Sequence, residues 1–136
     1  MLGFRMRVRI GVGLTVAAYL LLLYGALAAP AYARSHSHLD PAMLAAYSAP
    51  WPVAMTSVFA MTGVALALIP VRRGEKWAVW MCLSTFAILL IVRITTDARC
   101  LVVLNPHQHG CHTFILLVLV GITGLILSAF GKQSTR

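Results

Sequence analysis

The histidines and cysteines are the side chains here best suited to chemistry, and they are not evenly spread. His36 and His38 form a His-x-His pair just before Asp40, and His107, His109 and His112 form a second cluster. Two imidazoles separated by one residue in a loop can turn toward a single ion, and His109 and His112, three apart, could share one face of a helix. With Asp40 these side chains offer the nitrogen and oxygen ligands that suit Zn or Cu(II). No HExxH or paired CxxC framework fixes a metal geometry. The same five imidazoles therefore also read as solvated loop side chains, titrating near pH 6.5 and open to a pH-sensing role.

Cys100 and Cys111 bracket the segment that holds His107 and His109. In an oxidising compartment their expected fate is a disulfide, with Asn105-Pro106 as the turn that returns the chain. Closing that loop would contribute about 2–3 kcal/mol by restricting the unfolded chain. A reactive dithiol is the alternative, because Arg99 beside Cys100 and His112 beside Cys111 could stabilise thiolates. Quinone-linked thiol oxidoreductases of the vitamin K epoxide reductase type also place outward cysteines on a small helical bundle, but their CxxC pair has no counterpart in this chain. Cys82 sits within an apolar run and reads as a small buried hydrophobe.

Arg93 is the one charge inside an apolar run. Counted from Trp77 it lies about 24 Å along a helix, near enough to a surface to snorkel, with Asp97 one turn on as its expected partner. An anionic headgroup or ligand is the other counter-charge it could hold. Carriers coupled to protons or ions usually keep an ionisable group near the bilayer midplane, and this sequence puts none there. No histidine falls between His38 and His107, which excludes a haem held by two mid-membrane imidazoles.

The elements that must position these residues are apolar helices. Of 136 residues, 60% are hydrophobic and 10% charged, far fewer charges than the quarter or so of a water-soluble domain. So small a chain cannot hide that much apolar surface from water, so lipid must be its solvent. The expectation is an all-α integral membrane protein, a four-transmembrane-helix bundle forming a single membrane domain over 1–136. Its spans run at about 10–29, 51–71, 77–95 and 113–130, with outer loops 30–50 and 96–112 and a cytosolic turn 72–76. Pro50 and Pro52 suit the first turn of the second span, opened by Ser48, and Pro70 and Arg72 mark its end. Ala31-Tyr32-Ala33 after Pro30 has the form that signal peptidase accepts, so cleavage would leave three spans, although the first run is long for a signal peptide.

The net charge of +8 is carried by short cationic clusters beside the apolar runs, which excludes a nucleic-acid face. Arg5, Arg7, Arg9, Arg72, Arg73, Lys76, Lys132 and Arg136 fall on one side, against Arg34, Arg93 and Arg99 on the other. By the positive-inside rule the first side, with both termini, is cytosolic. Arg outnumbers Lys, as in a GC-rich bacterial genome, and the expected location is the bacterial inner membrane, with the histidines and Cys100–Cys111 facing the periplasm. Gly63 with Ala67, and Gly124 with Ser128, are small residues four apart that permit close helix contact, within the bundle or between copies.

Over its whole length the chain resembles DoxX-like and other small four-span bacterial membrane proteins in size and span count, a likeness of layout that transmits no activity. The leading functional expectation is a non-enzymatic accessory or partner-binding bundle, its partners being the bilayer and either another membrane protein or further copies of itself, with a disulfide-braced outer loop. A periplasm-facing Zn or Cu protein using His36, His38, His107, His109 and His112 is the second reading. A membrane thiol-disulfide oxidoreductase using Cys100 and Cys111 is the third.

Overall fold

A computed structural model of the chain describes residues 3–35, 41, 49–96 and 109–130. Four helices account for nearly all of them: α1 Gly3–Ser35, α2 Pro50–Leu66, α3 Lys76–Thr96 and α4 His109–Phe130. A π-helical turn, Ala67–Val71, prolongs α2. Each helix contains a segment long and apolar enough to cross a membrane: Met6–Tyr32, Pro50–Val71, Lys76–Thr95 and His112–Ala129. Among the described residues the protein is thus an all-α bundle of four helices suited to a membrane. Successive helices run antiparallel and pack in a ring, α1 against α2 and α4, and α3 against the same two.

Helix boundaries follow the prolines and glycines. Pro50 stands at the first position of α2, where its missing N–H is no loss, and Ala49 rather than Ser48 precedes it as the cap. The span closes at Val71, as expected, but Pro70 does not end the helix: the backbone widens into the π-helical turn and carries the helix past it. The stop comes at Gly74, whose φ of 77° only glycine adopts readily. There the Gly74 N–H donates to Val71 O at 2.8 Å and the Glu75 N–H to Pro70 O at 3.0 Å, a Schellman closure. Likewise α1 continues through Pro30 to Ser35, where a loop was expected from residue 30. A proline inside a helix costs one hydrogen bond, whereas unwinding in hydrocarbon would strip several backbone groups of partners.

The core is built on two aromatic rings. Tyr19 of α1 and Phe86 of α3, both fully buried, stack with ring centres 4.2 Å apart and planes 10° from parallel, spanning the middle of the ring of helices. The far end of Tyr19 occupies the space where a Cβ on Gly63 of α2 would stand, and the far end of Phe86 does the same at Gly121 of α4. The Tyr19 hydroxyl lies 3.0 Å from Cys82 O and donates to the Thr85 hydroxyl. Thr85 Oγ1 in turn donates to Cys82 O at 2.7 Å.

Below this pair, toward Gly74, α1 and α4 approach backbone to backbone. A Cβ on Gly11 would lie 2.5 Å from Gly124 O, and one on Gly124 would lie 2.6 Å from Gly11 O. Thr15 Oγ1 sits in the seam, 2.9 Å from Gly11 O and 3.3 Å from Gly121 O. The small pairs read from sequence therefore serve packing within the bundle: Gly63 admits Tyr19, and Gly124 and Ser128 admit Gly11. On the lipid-facing surface, Thr62, Ser84 and Thr123 bond the carbonyl four residues back at 2.8, 3.0 and 2.8 Å, as hydroxyls without water must. Trp51 at one end and Trp77 and Trp80 at the other are exposed, as indoles at the two membrane surfaces would be.

The ring-and-glycine arrangement predicts a sharp positional contrast. Gly63→Ala and Gly121→Ala should each destabilise the bundle by about 1–3 kcal/mol through overpacking. Gly13→Ala, where an added Cβ meets nothing within 4 Å, should be neutral or slightly stabilising. Thermal unfolding of the three variants in one detergent checks this.

Candidate functional site

Beyond the Tyr19–Phe86 pair, toward the end of the bundle that carries Ser35, Pro50 and Thr96, the helices no longer fill the space between them. A cavity of about 560 Å³ opens there, walled by all four helices. That volume lies within the roughly 300–1,000 Å³ of pockets that enclose small molecules. Leu22 and Leu89, each one turn beyond a stacked ring, are in its floor, so the aromatic pair acts as the plug that closes it from below.

The cause of the opening is local composition. In α1 the wall is made by Gly25, Ala26, Ala28 and Ala29, and in α2 by Pro52, Val53 and Thr56. These short side chains do not reach across the gap. Leu21 and Tyr24 also line it while 52% and 72% exposed, so the cavity opens through the flank of the bundle at α1.

Its charged group among the described residues is Arg93. Ala78, Cys82, Phe86 and Leu89 are the buried stripe of α3, and Arg93, four residues beyond Leu89, continues that stripe at helical spacing. The arginine thus faces the interior of the bundle near the end of α3. Its side chain is partly buried, with Nε wholly covered, and its guanidinium carbon lies 5.9 Å from the centre of the Phe114 ring of α4. That is within range of a cation–π attraction of about 0.5–1 kcal/mol or more. Thr113 and Tyr32 bring hydroxyls to the same cavity. A planar cation beside an apolar chamber can hold a carboxylate or phosphate through two parallel N–H donors while hydrocarbon fills the rest.

The other residues singled out in the sequence are distributed as follows. Asp97, the expected partner of Arg93, lies outside the described residues, as do His36, His38, Asp40, His107 and Cys100. The helix α4 starts four residues before the predicted span, so His109, Cys111 and His112 fall in its first turns, with His109 and His112 at positions that share a helical face. His112 is exposed. The side chains of His109 and Cys111 are not among those described, and the Cys100–Cys111 bond therefore lies outside the described residues. Among the described residues no group of three His, Cys, Asp or Glu side chains could hold a metal ion. Cys82 is a free, buried thiol, as its place in an apolar run suggested.

Sequence reasoning missed Tyr19 and the cavity. A signal existed for the first: a tyrosine at mid-span, away from the membrane surfaces it prefers, must find a hydroxyl partner within the bundle.

No protein-family model matches the chain, and neither a curated protein nor a solved structure shows significant similarity to it. The site is therefore read from its own geometry.

Burial sets Cys82 apart from a thiol placed at the cavity. In a chain with Cys100 and Cys111 replaced by serine, Cys82 should resist maleimide until the bundle is unfolded. A cysteine introduced by Thr113→Cys, exposed at the cavity, should label in the folded protein; the mass increase after a fixed exposure distinguishes the two.

Proposed function

We propose that this chain is a small non-enzymatic binding protein of a bacterial inner membrane, a four-helix bundle that receives a partner in the cavity between its helices. The observation that carries this reading is the contrast between its two halves. One half is closed by glycine-mediated backbone contact and a stacked aromatic pair, and the other stays open across all four helices and through the flank at α1. A small chain that holds such a chamber above a rigid plug is suited to binding, and the occupant can be a lipid-phase molecule or a side chain from another membrane protein.

Orientation belongs to the same proposal. Arg7, Arg9, Arg72, Arg73 and Lys76 share the Gly74 end of the bundle, which supports a cytosolic position for that end and for both termini. The cavity then opens toward the periplasmic leaflet.

A photo-reactive residue in place of Thr56, inside the cavity, should form a covalent adduct when illuminated in native membranes. One in place of Thr62, on the lipid-facing side of α2, should give diffuse labelling at most. Recovery of unmodified chain from the Thr56 position would remove the binding reading. Impermeant labels that reach Arg72→Cys but not Thr113→Cys from the periplasm would reverse the orientation.

A further inference from the structure

We infer that the occupant of the cavity is an anionic phospholipid of the surrounding bilayer, its phosphate at Arg93 and one acyl chain inside the bundle; this rests on the binding reading above and names its ligand. Three features of the chamber select that chemistry. The walls are hydrocarbon for most of their depth, from Leu22 and Leu89 at the floor through Gly25, Ala29 and Val53. Apart from Tyr24 at the side opening, Thr56 is the one lining side chain with a polar group between the floor and Arg93, too little to satisfy a polar ligand, so the part of the ligand that goes deep is best an alkyl chain.

The cation comes at the right level. Arg93 precedes the end of α3 at Thr96 by one turn, so its guanidinium lies at headgroup depth while the floor lies within the hydrocarbon. The Phe114 ring of α4 has its centre 5.9 Å from the guanidinium carbon, and Thr113 and Tyr32 bring hydroxyls to the same cavity. A phosphate diester in that position can accept two parallel N–H bonds from the arginine, which a zwitterionic headgroup also offers in part, but a net negative headgroup leaves the attraction uncancelled by an ammonium.

The entrance is also lateral. Leu21 and Tyr24 line the cavity and face out of the bundle, so a lipid can insert one chain past α1 while its second chain remains in the bilayer. A water-soluble ligand has no need of such a side opening. Entry from the bilayer also spares the ligand a passage through water.

The structure supplies two variants that separate head from tail. Arg93→Gln removes the charge, and Arg93→Lys retains it without the planar fork. Gly25→Leu places a side chain into the chamber from a position where an added Cβ meets no atom within 4 Å, so the fold should tolerate it. The full chain, purified in a neutral detergent, is titrated with phosphatidylglycerol and with phosphatidylcholine of the same acyl chains, following bound lipid by native mass spectrometry and the thermal midpoint in parallel.

Phosphatidylglycerol should bind in one-to-one stoichiometry and raise the midpoint, with phosphatidylcholine weaker by about ten-fold or more. Arg93→Gln should abolish the preference between the two lipids, Arg93→Lys should restore part of it, and Gly25→Leu should weaken both. Equal binding of the two lipids by the unaltered chain, or an undiminished preference in Arg93→Gln, overturns the inference. If the Thr56 photo-adduct forms but carries the mass of a protein, the binding reading stands and the lipid assignment fails. If neither adduct nor bound lipid is found, both fail.

Discussion

The stacked pair of Tyr19 and Phe86 is the constraint on which the bundle depends, because it joins helices that do not lie side by side in the ring. Two large rings at the centre would ordinarily hold four helices apart. They are accommodated because each ring's far end enters the space left by a glycine on one of the other two helices, Gly63 for the tyrosine and Gly121 for the phenylalanine. One contact thus involves all four helices at one level. The tyrosine hydroxyl makes the position directional as well: its bond to Thr85 and its approach to Cys82 O hold α1 in register with α3. Lipid supplies no competing hydrogen bonds, so such a polar clasp keeps its partners in place of water.

From that level the two directions along the bundle differ for a physical reason. Toward Gly74 the residues facing one another on α1 and α4 are Gly11, Thr15, Gly124 and Ser128, small enough for the backbones to meet and dispersion contacts to accumulate. Toward Thr96 the residues of α1 are small too, but what lies opposite is not another stripe of small residues packed to the backbone. It includes Arg93 and Phe114, the guanidinium over the ring, and the space they leave is the cavity. Small side chains close one half and open the other, according to what faces them.

The candidate site shows how a residue's meaning depends on the face it occupies. Distance along the helix places Arg93 near a membrane surface, and by that measure a snorkelling side chain paired with Asp97 is the natural reading. The rotational position carries the further information. Arg93 follows Ala78, Cys82, Phe86 and Leu89 at intervals that keep it on the buried stripe. The stripe is written in the sequence, yet in a chain where every face is apolar, hydrophobicity does not mark which face is inside, and the amphipathic rule that serves soluble helices loses its signal. The histidines and the Cys100–Cys111 pair were the more conspicuous chemistry in the sequence, but the mostly apolar chamber between the helices is where the fold leaves room for a ligand.

The amino-acid sequence alone determined that the chain is helical and lives in lipid, since long apolar runs broken by no charge but Arg93 allow no other solvent, and it located the four spans through those runs and the cations between them. It also held the local punctuation at Pro50, which begins a helix, because such signals act over a few bonds, whereas Gly74 emerged as the stop only in the folded turn. Only the tertiary structure decided that Pro30 and Pro70 would be passed over, that Gly63 and Gly121 exist to admit rings from other helices, and that Arg93 lines a chamber between the helices. Those outcomes depend on which helix stands opposite, and in a uniformly apolar chain that choice is made by shape complementarity between distant segments.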